Sequence, residues 1–121
     1  MRHFLALLLA PISIAASPAI DAETTKDVRC LVAVASLANS EDESAKMAAI
    51  VGSQYFLGRI DGRQPTLDLE TAIRTEAARL DEAAIKGLLV SCGGLMKSRG
   101  AALQSIGEGM QDHPSQSSSS S

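Results

Sequence analysis

The sequence contains few aromatic residues, and this shortage limits the kinds of core that it can form. Its 121 residues include one tyrosine, two phenylalanines and no tryptophan, although 45% of them are hydrophobic. The core therefore has to be built from alanine, leucine, isoleucine, valine and methionine, several of which are good helix formers. This composition favours closely packed helices over a sheet sandwich, and we predict an all-α fold.

Side chains that usually carry catalysis or hold metal ions are also scarce. The chain has two histidines and two cysteines, and His113 lies beside Pro114 in a polar stretch, where it cannot be held against a nucleophile. The cysteines do not form a zinc-site pattern, and the glycines form neither a GxGxxG motif nor a Walker loop. The sequence therefore predicts no enzyme activity, no cofactor and no metal site.

Basic charge is not in excess either. The chain carries 11 lysines and arginines against 14 aspartates and glutamates, a net charge of -3. Surfaces that bind nucleic acid are usually strongly basic, because they neutralise phosphates. We therefore expect no nucleic-acid partner.

The one long apolar run lies at the N-terminus, in residues 1–22, "MRHFLALLLAPISIAASPAIDA". It extends from Phe4 to about Ala16 and is followed by small residues, a pattern typical of a secretory signal peptide. We expect cleavage after Ala22, with cleavage after Ala19 as the alternative. A permanent span needs about 20 apolar residues, so we predict a periplasmic or secreted protein with no stable membrane span after cleavage.

Two cysteines, Cys30 and Cys92, remain after cleavage. In a small exported domain an even number of cysteines indicates a disulfide, and two cysteines allow only one pairing. The cross-link would join residues 62 positions apart and contribute about 4 kcal/mol by the chain-entropy estimate. The alternative is a pair of buried free thiols.

Capping residues and apolar periodicity predict four helices in a domain that covers residues 23–110. The first covers about 25–38 with Thr24 as N-cap, the second runs from the Ser40 and Glu43 capping pair to a left-handed C-cap at Gly62, the third covers about 68–80, and the fourth follows Asp81. The first is apolar nearly all round, so it should be the most buried, although its valines also fit a buried strand. Residues 111–121 are polar and serine-rich, and we expect a disordered tail.

The fourth predicted helix combines an apolar stripe with a line of glycines. Cys92 lies in the middle of the stripe, which repeats every seven residues, and Gly93, Gly100 and Gly107 share one position beside it. Their missing side chains would let the second helix approach closely, at about 1 kcal/mol of helix propensity per glycine. A groove for a ligand or peptide, or fraying after the glycines, are the alternatives. The candidate binding surface comprises Tyr55, Phe56, Gly93, Gly100 and Gly107.

Part of the chain, from about Asp27 to Gly94, resembles a known family. A cysteine in the first mature helix is followed by "SQYFLGRIDGR", by Pro65, by an amphipathic helix and by "LLVSC", which is similar to the layout of small periplasmic HdeA-type acid-stress chaperones. The spacing between the cysteines is longer than is usual in that family. The glycine-spaced helix end also resembles Tai-type immunity proteins of type VI secretion.

These resemblances imply two functions for a non-catalytic helical protein clasped by Cys30 and Cys92. The first is a periplasmic stress chaperone that exposes apolar helix faces when its carboxylates are protonated and any homodimer loosens. The second is a constitutive protein-binding module, such as an immunity or inhibitor protein, that uses a fixed surface around Tyr55 and Phe56. Both functions require a protein partner.

Overall fold

The computed structural model describes residues 19–112, and this part of the chain is almost entirely helical. Its α-helices are α1 (Ala22–Ala35), α2 (Glu43–Arg63), α3 (Leu69–Arg79) and α4 (Glu82–Asp112), and a short 3-10 helix, Ser36–Asn39, joins α1 to α2. The predicted all-α, four-helix fold is confirmed. Most of the predicted signal peptide, and the tail from His113 onward, lie outside the described residues.

Helix α1 lies at the centre of the fold. It contacts each of the other three α-helices, and its residues Val28 and Ala33 have no exposed surface. The prediction that the first helix is the most buried is therefore confirmed, and the strand alternative is excluded. Phe56 and Ile60 of α2 and Cys92 of α4 complete the centre of the core.

The first helix begins earlier than predicted. Asp21, and not Thr24, is its N-cap, because the Asp21 carboxylate accepts a hydrogen bond from the backbone N–H of Thr24 at 2.7 Å. Thr24 is fully buried in the first turn. Aspartate and threonine both suit a cap position, and the predicted cap is wrong because the Thr24 side chain faces the core.

The second helix also differs from the prediction at both ends. Its N-cap is Asp42, whose carboxylate accepts a hydrogen bond from the Ser44 backbone N–H, so the predicted Ser40 cap is wrong. At the other end α2 continues through Gly62, and no described glycine has a positive φ. The predicted left-handed cap at Gly62 is therefore wrong, and the helix ends where Pro65 prevents its continuation.

Aspartates start the remaining two helices. The backbone N–H of Thr71 donates to Asp68 at 3.1 Å, and that of Ala84 donates to Asp81 at 2.8 Å. The predicted cap at Asp81 is confirmed. The third helix is one residue shorter at each end than expected, because Asp68 and Leu80 are its N-cap and C-cap.

The fourth helix is much longer than the surface that it covers. It contains 31 residues, which is about 46 Å at the rise of an α-helix. Leu88, Leu89, Cys92 and Met96 pack on the core, whereas residues 97–112 are all exposed. The helix continues through its glycines, and it extends two residues past the predicted domain boundary at 110.

Candidate functional site

A disulfide joins the central helix to the long one. Cys30 of α1 and Cys92 of α4 are bonded, with their Cα atoms 5.6 Å apart, and no free cysteine is present in residues 19–112. The predicted cross-link is confirmed, and the free-thiol alternative is excluded. Disulfides persist in oxidising compartments, so this bond indicates an exported protein.

A buried carboxylate connects α1 to α2. The side chain of Asp27 is only 4% exposed, and its Oδ1 accepts a hydrogen bond from Arg59 Nε at 2.9 Å. Arg63 Nη1 lies 3.3 Å from Asp27 Oδ2, although the geometry does not form a hydrogen bond. One carboxylate of the central helix is thus shared by two arginines of α2.

The aromatic pair of α2, Tyr55 and Phe56, lies beside Arg59. The pKa of Arg59 is raised, mainly by its hydrogen bond to Asp27. The Arg59 guanidinium lies 5.7 Å from the centre of the Tyr55 ring, and the Tyr55 ring meets Phe56 edge to face. Phe56 has no exposed surface, so it cannot form part of a binding surface as predicted. Only Tyr55, which is half-buried, remains at the edge of the surface.

A second buried carboxylate connects α1 to α3. The side chain of Glu76 is 5% exposed, and Arg29 Nε of α1 donates to its Oε2 at 2.8 Å. Arg79, one turn further along α3, donates to Oε1 at 3.2 Å. Both oxygens of Glu76 are therefore held by arginines, and we call Asp27 and Glu76 with their four arginines the two carboxylate clusters.

The two carboxylate clusters were not predicted from the sequence. Asp27 follows the predicted N-cap Thr24 by three residues, a spacing that suggested a capping box, and no role was predicted for Glu76. A signal was present, because Asp27 and Arg29 lie on either side of Val28, where the apolar part of the helix begins, and a buried charge needs a partner. The identity of the partners was not encoded locally, since they lie 47 and 32 residues away.

The polar atoms near these clusters are not all satisfied. Thr24 Oγ1 is buried and has no hydrogen-bond partner among the described residues, and the same holds for Asp27 Oδ2. Asp27 Oδ2 nevertheless keeps its ion-pair contact with Arg63 at 3.3 Å.

Large apolar side chains are exposed in two regions. On α2 these are Met47, Ile50 and Val51, and on α4 they include Leu103, Ile106 and Met110, which are between 60% and 69% exposed. Each α4 residue in this set lies a multiple of seven from Met96 or Cys92, so the exposed stripe continues the face that packs on the core. The predicted stripe is therefore present, but only its first half packs on the core.

The glycines of α4 do not pack against α2 as predicted. A methyl group at Gly93, Gly100 or Gly107 would meet no atom within 4 Å. The close approach lies between α1 and α2 instead, where a methyl group at Gly52 would be 3.1 Å from Val34 Cβ. The prediction is wrong for α4 because its glycines face no neighbouring helix in the described part of the chain.

Two clefts open near the carboxylate clusters. The larger, about 480 Å³, lies between Ile20 and α3 and is bordered by threonines and by Glu76. The smaller, about 240 Å³, lies beside the disulfide and is bordered by Asp27 and Arg29. Within residues 19–112 no group of three or more His, Cys, Asp or Glu side chains is arranged to hold a metal ion.

No match to this chain was found among protein-family models, curated proteins or solved structures. The resemblance to HdeA-type chaperones and to Tai-type immunity proteins therefore stays a prediction. No helix within the described range has the length and apolar character that crossing a bilayer requires.

Proposed function

We propose that this chain is a non-catalytic periplasmic protein that binds other proteins through apolar helix surfaces and exposes more of these surfaces in acid, as a stress chaperone would. The observation that carries this proposal is the pairing of two buried carboxylates, Asp27 and Glu76, with arginines on neighbouring helices. The disulfide attaches α1 to α4 at any pH. The attachment of α1 to α2 and α3 depends in part on charge.

Each of these ion pairs depends on the negative charge of its carboxylate. Loss of that charge would remove the attraction between the carboxylate and the arginine of the neighbouring helix. In acid the chain also keeps its lysines and arginines, ten of the 11 once cleavage of the predicted signal peptide has removed Arg2, so it becomes strongly cationic and repels itself. Both effects favour the separation of α2 and α3 from α1.

The separation would expose the present core. The apolar residues concerned are Val28, Leu31 and Val34 of α1 and Phe56 and Ile60 of α2. Since the disulfide keeps α1 and α4 together, the opened chain would stay compact enough to close again at neutral pH. Such reversible exposure is what a chaperone without an energy source requires.

The proposal is tested by following the oxidised chain from pH 7 to pH 2. We expect binding of a hydrophobic dye to rise in acid, aggregation of an acid-denatured client protein to be suppressed, and both effects to reverse on neutralisation. A chain that stays compact, binds no dye and protects no client at pH 2 would contradict the proposal.

Variants that imitate protonation separate the carboxylate clusters from the general charge effect. Asp27→Asn and Glu76→Gln should increase dye binding at pH 7, because each removes one buried charge without changing the size of the side chain. Glu82→Gln is the matched control, since Glu82 pairs with Lys86 within α4 and both side chains are exposed. If the control raises dye binding as much as the two cluster variants, the clusters are not the trigger.

A second candidate function, a constitutive binding module, is favoured by the apolar residues that α2 exposes without any trigger. Met47, Ile50 and Val51 form this surface, and each has more than half of its area exposed. This candidate predicts one tight partner at neutral pH that is lost in an Ile50→Lys variant. Dye binding that is the same at pH 7 and pH 2, together with such a partner, would favour it over the chaperone.

A further inference from the structure

The methionines in the described part of the chain differ in how far the fold protects them. Met47 of α2 is 58% exposed, and Met110 of α4 is 69% exposed. Met96 of α4 is half-buried and packs against the core. Oxidation of a thioether needs contact between the oxidant and the sulfur, so exposure decides which methionine reacts first. The fold therefore leaves Met47 and Met110 open to oxidants and protects Met96.

Few other side chains in this part of the chain compete with the methionines for an oxidant. A thiolate is the usual first target, but Cys30 and Cys92 are joined in the disulfide, and residues 19–112 contain no free cysteine. The sequence also has no tryptophan. The thioethers of Met47 and Met110 are therefore the most accessible of the readily oxidised groups in residues 19–112.

Each exposed methionine belongs to an apolar surface. Met47 lies one turn before Ile50 and Val51 on α2, and Met110 lies one turn after Ile106 on α4. All of these residues are more than half exposed. Conversion of methionine into its sulfoxide turns a flexible apolar side chain into a polar one. Oxidation would therefore make both surfaces more polar without touching the core.

We propose that Met47 and Met110 are oxidation sites through which hydrogen peroxide reduces the apolar surface that the folded chain exposes at neutral pH. In each reaction the thioether sulfur loses two electrons and takes one oxygen atom from the peroxide. The O–O bond breaks, an S–O bond forms, and the second oxygen leaves as water with both protons. The disulfide and the two carboxylate clusters take no part, so the helices stay packed.

The effect of this modification on protein binding rests on the proposed function, but the two sites do not. Oxidation would lower the affinity of both surfaces for apolar partners, whereas acid would still open the core. The sites are tested at pH 7, and the acid response of the proposed function is tested at pH 2. A negative result in one test therefore does not decide the other.

Peptide mapping by mass spectrometry locates the sites. The disulfide-bonded chain is treated with hydrogen peroxide at pH 7, and the gain of one oxygen at each methionine is followed with time. We expect Met47 and Met110 to react at least about threefold faster than Met96, and the three rates to become equal in a concentration of urea that unfolds the chain. Equal rates in the folded chain would overturn the proposal.

Dye binding at pH 7 measures the effect on the surface. Full oxidation of Met47 and Met110 should lower the binding of a hydrophobic dye while the circular dichroism of the helices stays the same. The double variant Met47→Leu, Met110→Leu keeps apolar side chains of similar volume, and peroxide should not change its dye binding. Met96→Leu is the matched control and should respond to peroxide as the native chain does. Unchanged dye binding in the fully oxidised native chain would overturn the proposal.

Glutamine variants imitate the sulfoxide without any oxidant. Met47→Gln and Met110→Gln place a polar group on an unbranched side chain at each surface, so both should lower dye binding at pH 7. The leucine variants at the same positions should retain it. Equal dye binding by the glutamine and leucine variants would show that these two positions do not determine the apolar surface, and the proposal would fail.

Discussion

At the scale of the residue, the carboxylates of this protein fall into two groups with different physical roles. Asp27 and Glu76 are buried and join helices, whereas Asp21 and Asp68 are exposed and cap them. A buried charged group is stable only with its partner, because the low-dielectric surroundings offer no other group to balance the charge. An exposed charged group contributes mainly through local hydrogen bonds, because solvent and salt weaken its interactions with other charges.

Loss of the Glu76 carboxylate should destabilise the fold. Glu76→Ala removes the acceptor of Arg29 and Arg79, and we expect the free energy of unfolding to fall by about 2 kcal/mol, less than for a fully buried pair because both arginines are partly exposed. The control is Glu70→Ala, which breaks the exposed Glu70–Arg74 pair and should cost less than about 0.5 kcal/mol. Urea unfolding at pH 7 measures both, and equal losses would show that Glu76 has no special role.

The capping aspartates should make stability depend on pH. The hydrogen bond from the Thr24 backbone N–H, more than any other contact, lowers the pKa of Asp21, and the one from the Thr71 backbone N–H does the same for Asp68. A carboxyl whose pKa is lower in the folded state stabilises the fold above its unfolded pKa, and this contribution is lost as the pH falls through the folded pKa. The melting temperature should therefore decrease from mildly acidic pH downward.

The variant Asp68→Asn tests this assignment. It removes the titrating group but retains an acceptor for the Thr71 N–H, so the decrease in melting temperature between pH 5 and pH 3 should become smaller. Asp81→Asn provides a comparison at another helix start. A decrease that is unchanged in Asp68→Asn would show that other carboxylates dominate the acid response.

At the scale of the element, the contacts at the start of α1 distinguish the two predicted cleavage sites. Asp21 accepts the Thr24 N–H with its carboxylate, its backbone N–H donates to Gln64 at 3.0 Å, and its carbonyl accepts the Thr25 N–H. Cleavage after Ala22 would remove all three contacts. Cleavage after Ala19 would retain them.

We therefore expect a chain that begins at Ile20 to have a higher melting temperature than one that begins at Glu23, because only the longer chain retains the N-cap and its link to α2. Both chains can be produced without a signal segment and compared by calorimetry. The intact mass of the exported protein then shows which start is used. Equal melting temperatures would remove the structural reason to prefer Ile20.

The contact between α1 and α2 should be sensitive to a single methyl group. Gly52→Ala would place a Cβ 3.1 Å from Val34, whose side chain is held in the core, and we expect a net loss of about 1 kcal/mol in spite of the better helix propensity. Gly58→Ala in the same helix meets no atom and should gain about 0.5 to 1 kcal/mol. Thermal unfolding distinguishes the two, and stabilisation by both would show that the helices move apart easily.

The existence of each helix was easier to predict from the sequence than its exact ends. Apolar periodicity identified all four α-helices, because a helix that packs on a core must repeat its apolar positions. The exact starts were less predictable, since Asp21 and Thr24 are both good caps and only burial of Thr24 decides between them. The left-handed cap expected at Gly62 did not form, since the helix simply continued to the proline region.

At the scale of the whole molecule, the disulfide determines how α4 is held. α4 packs mainly on α1, and Cys92 is its only fully buried residue. Replacing both cysteines by serine should reduce the free energy of unfolding by about 4 kcal/mol and release α4 before α1 and α2 separate. Hydrogen exchange of the double-serine variant and of the oxidised chain measures this order, and equal protection of α4 in both would contradict it.

Composition, cysteine number and an apolar pattern local to one segment were enough to predict the helical class, the cysteine pairing and the central position of α1. The contacts of Asp27 and Glu76 with arginines of other helices could be seen only in the folded chain. The same holds for the close contact at Gly52, which the α4 glycines do not make, and for the uncovered half of α4. These features depend on which helix faces come together in space. A local pattern shows that one face of a helix is apolar or lacks side chains. Which other helix packs on that face depends on the arrangement of distant segments.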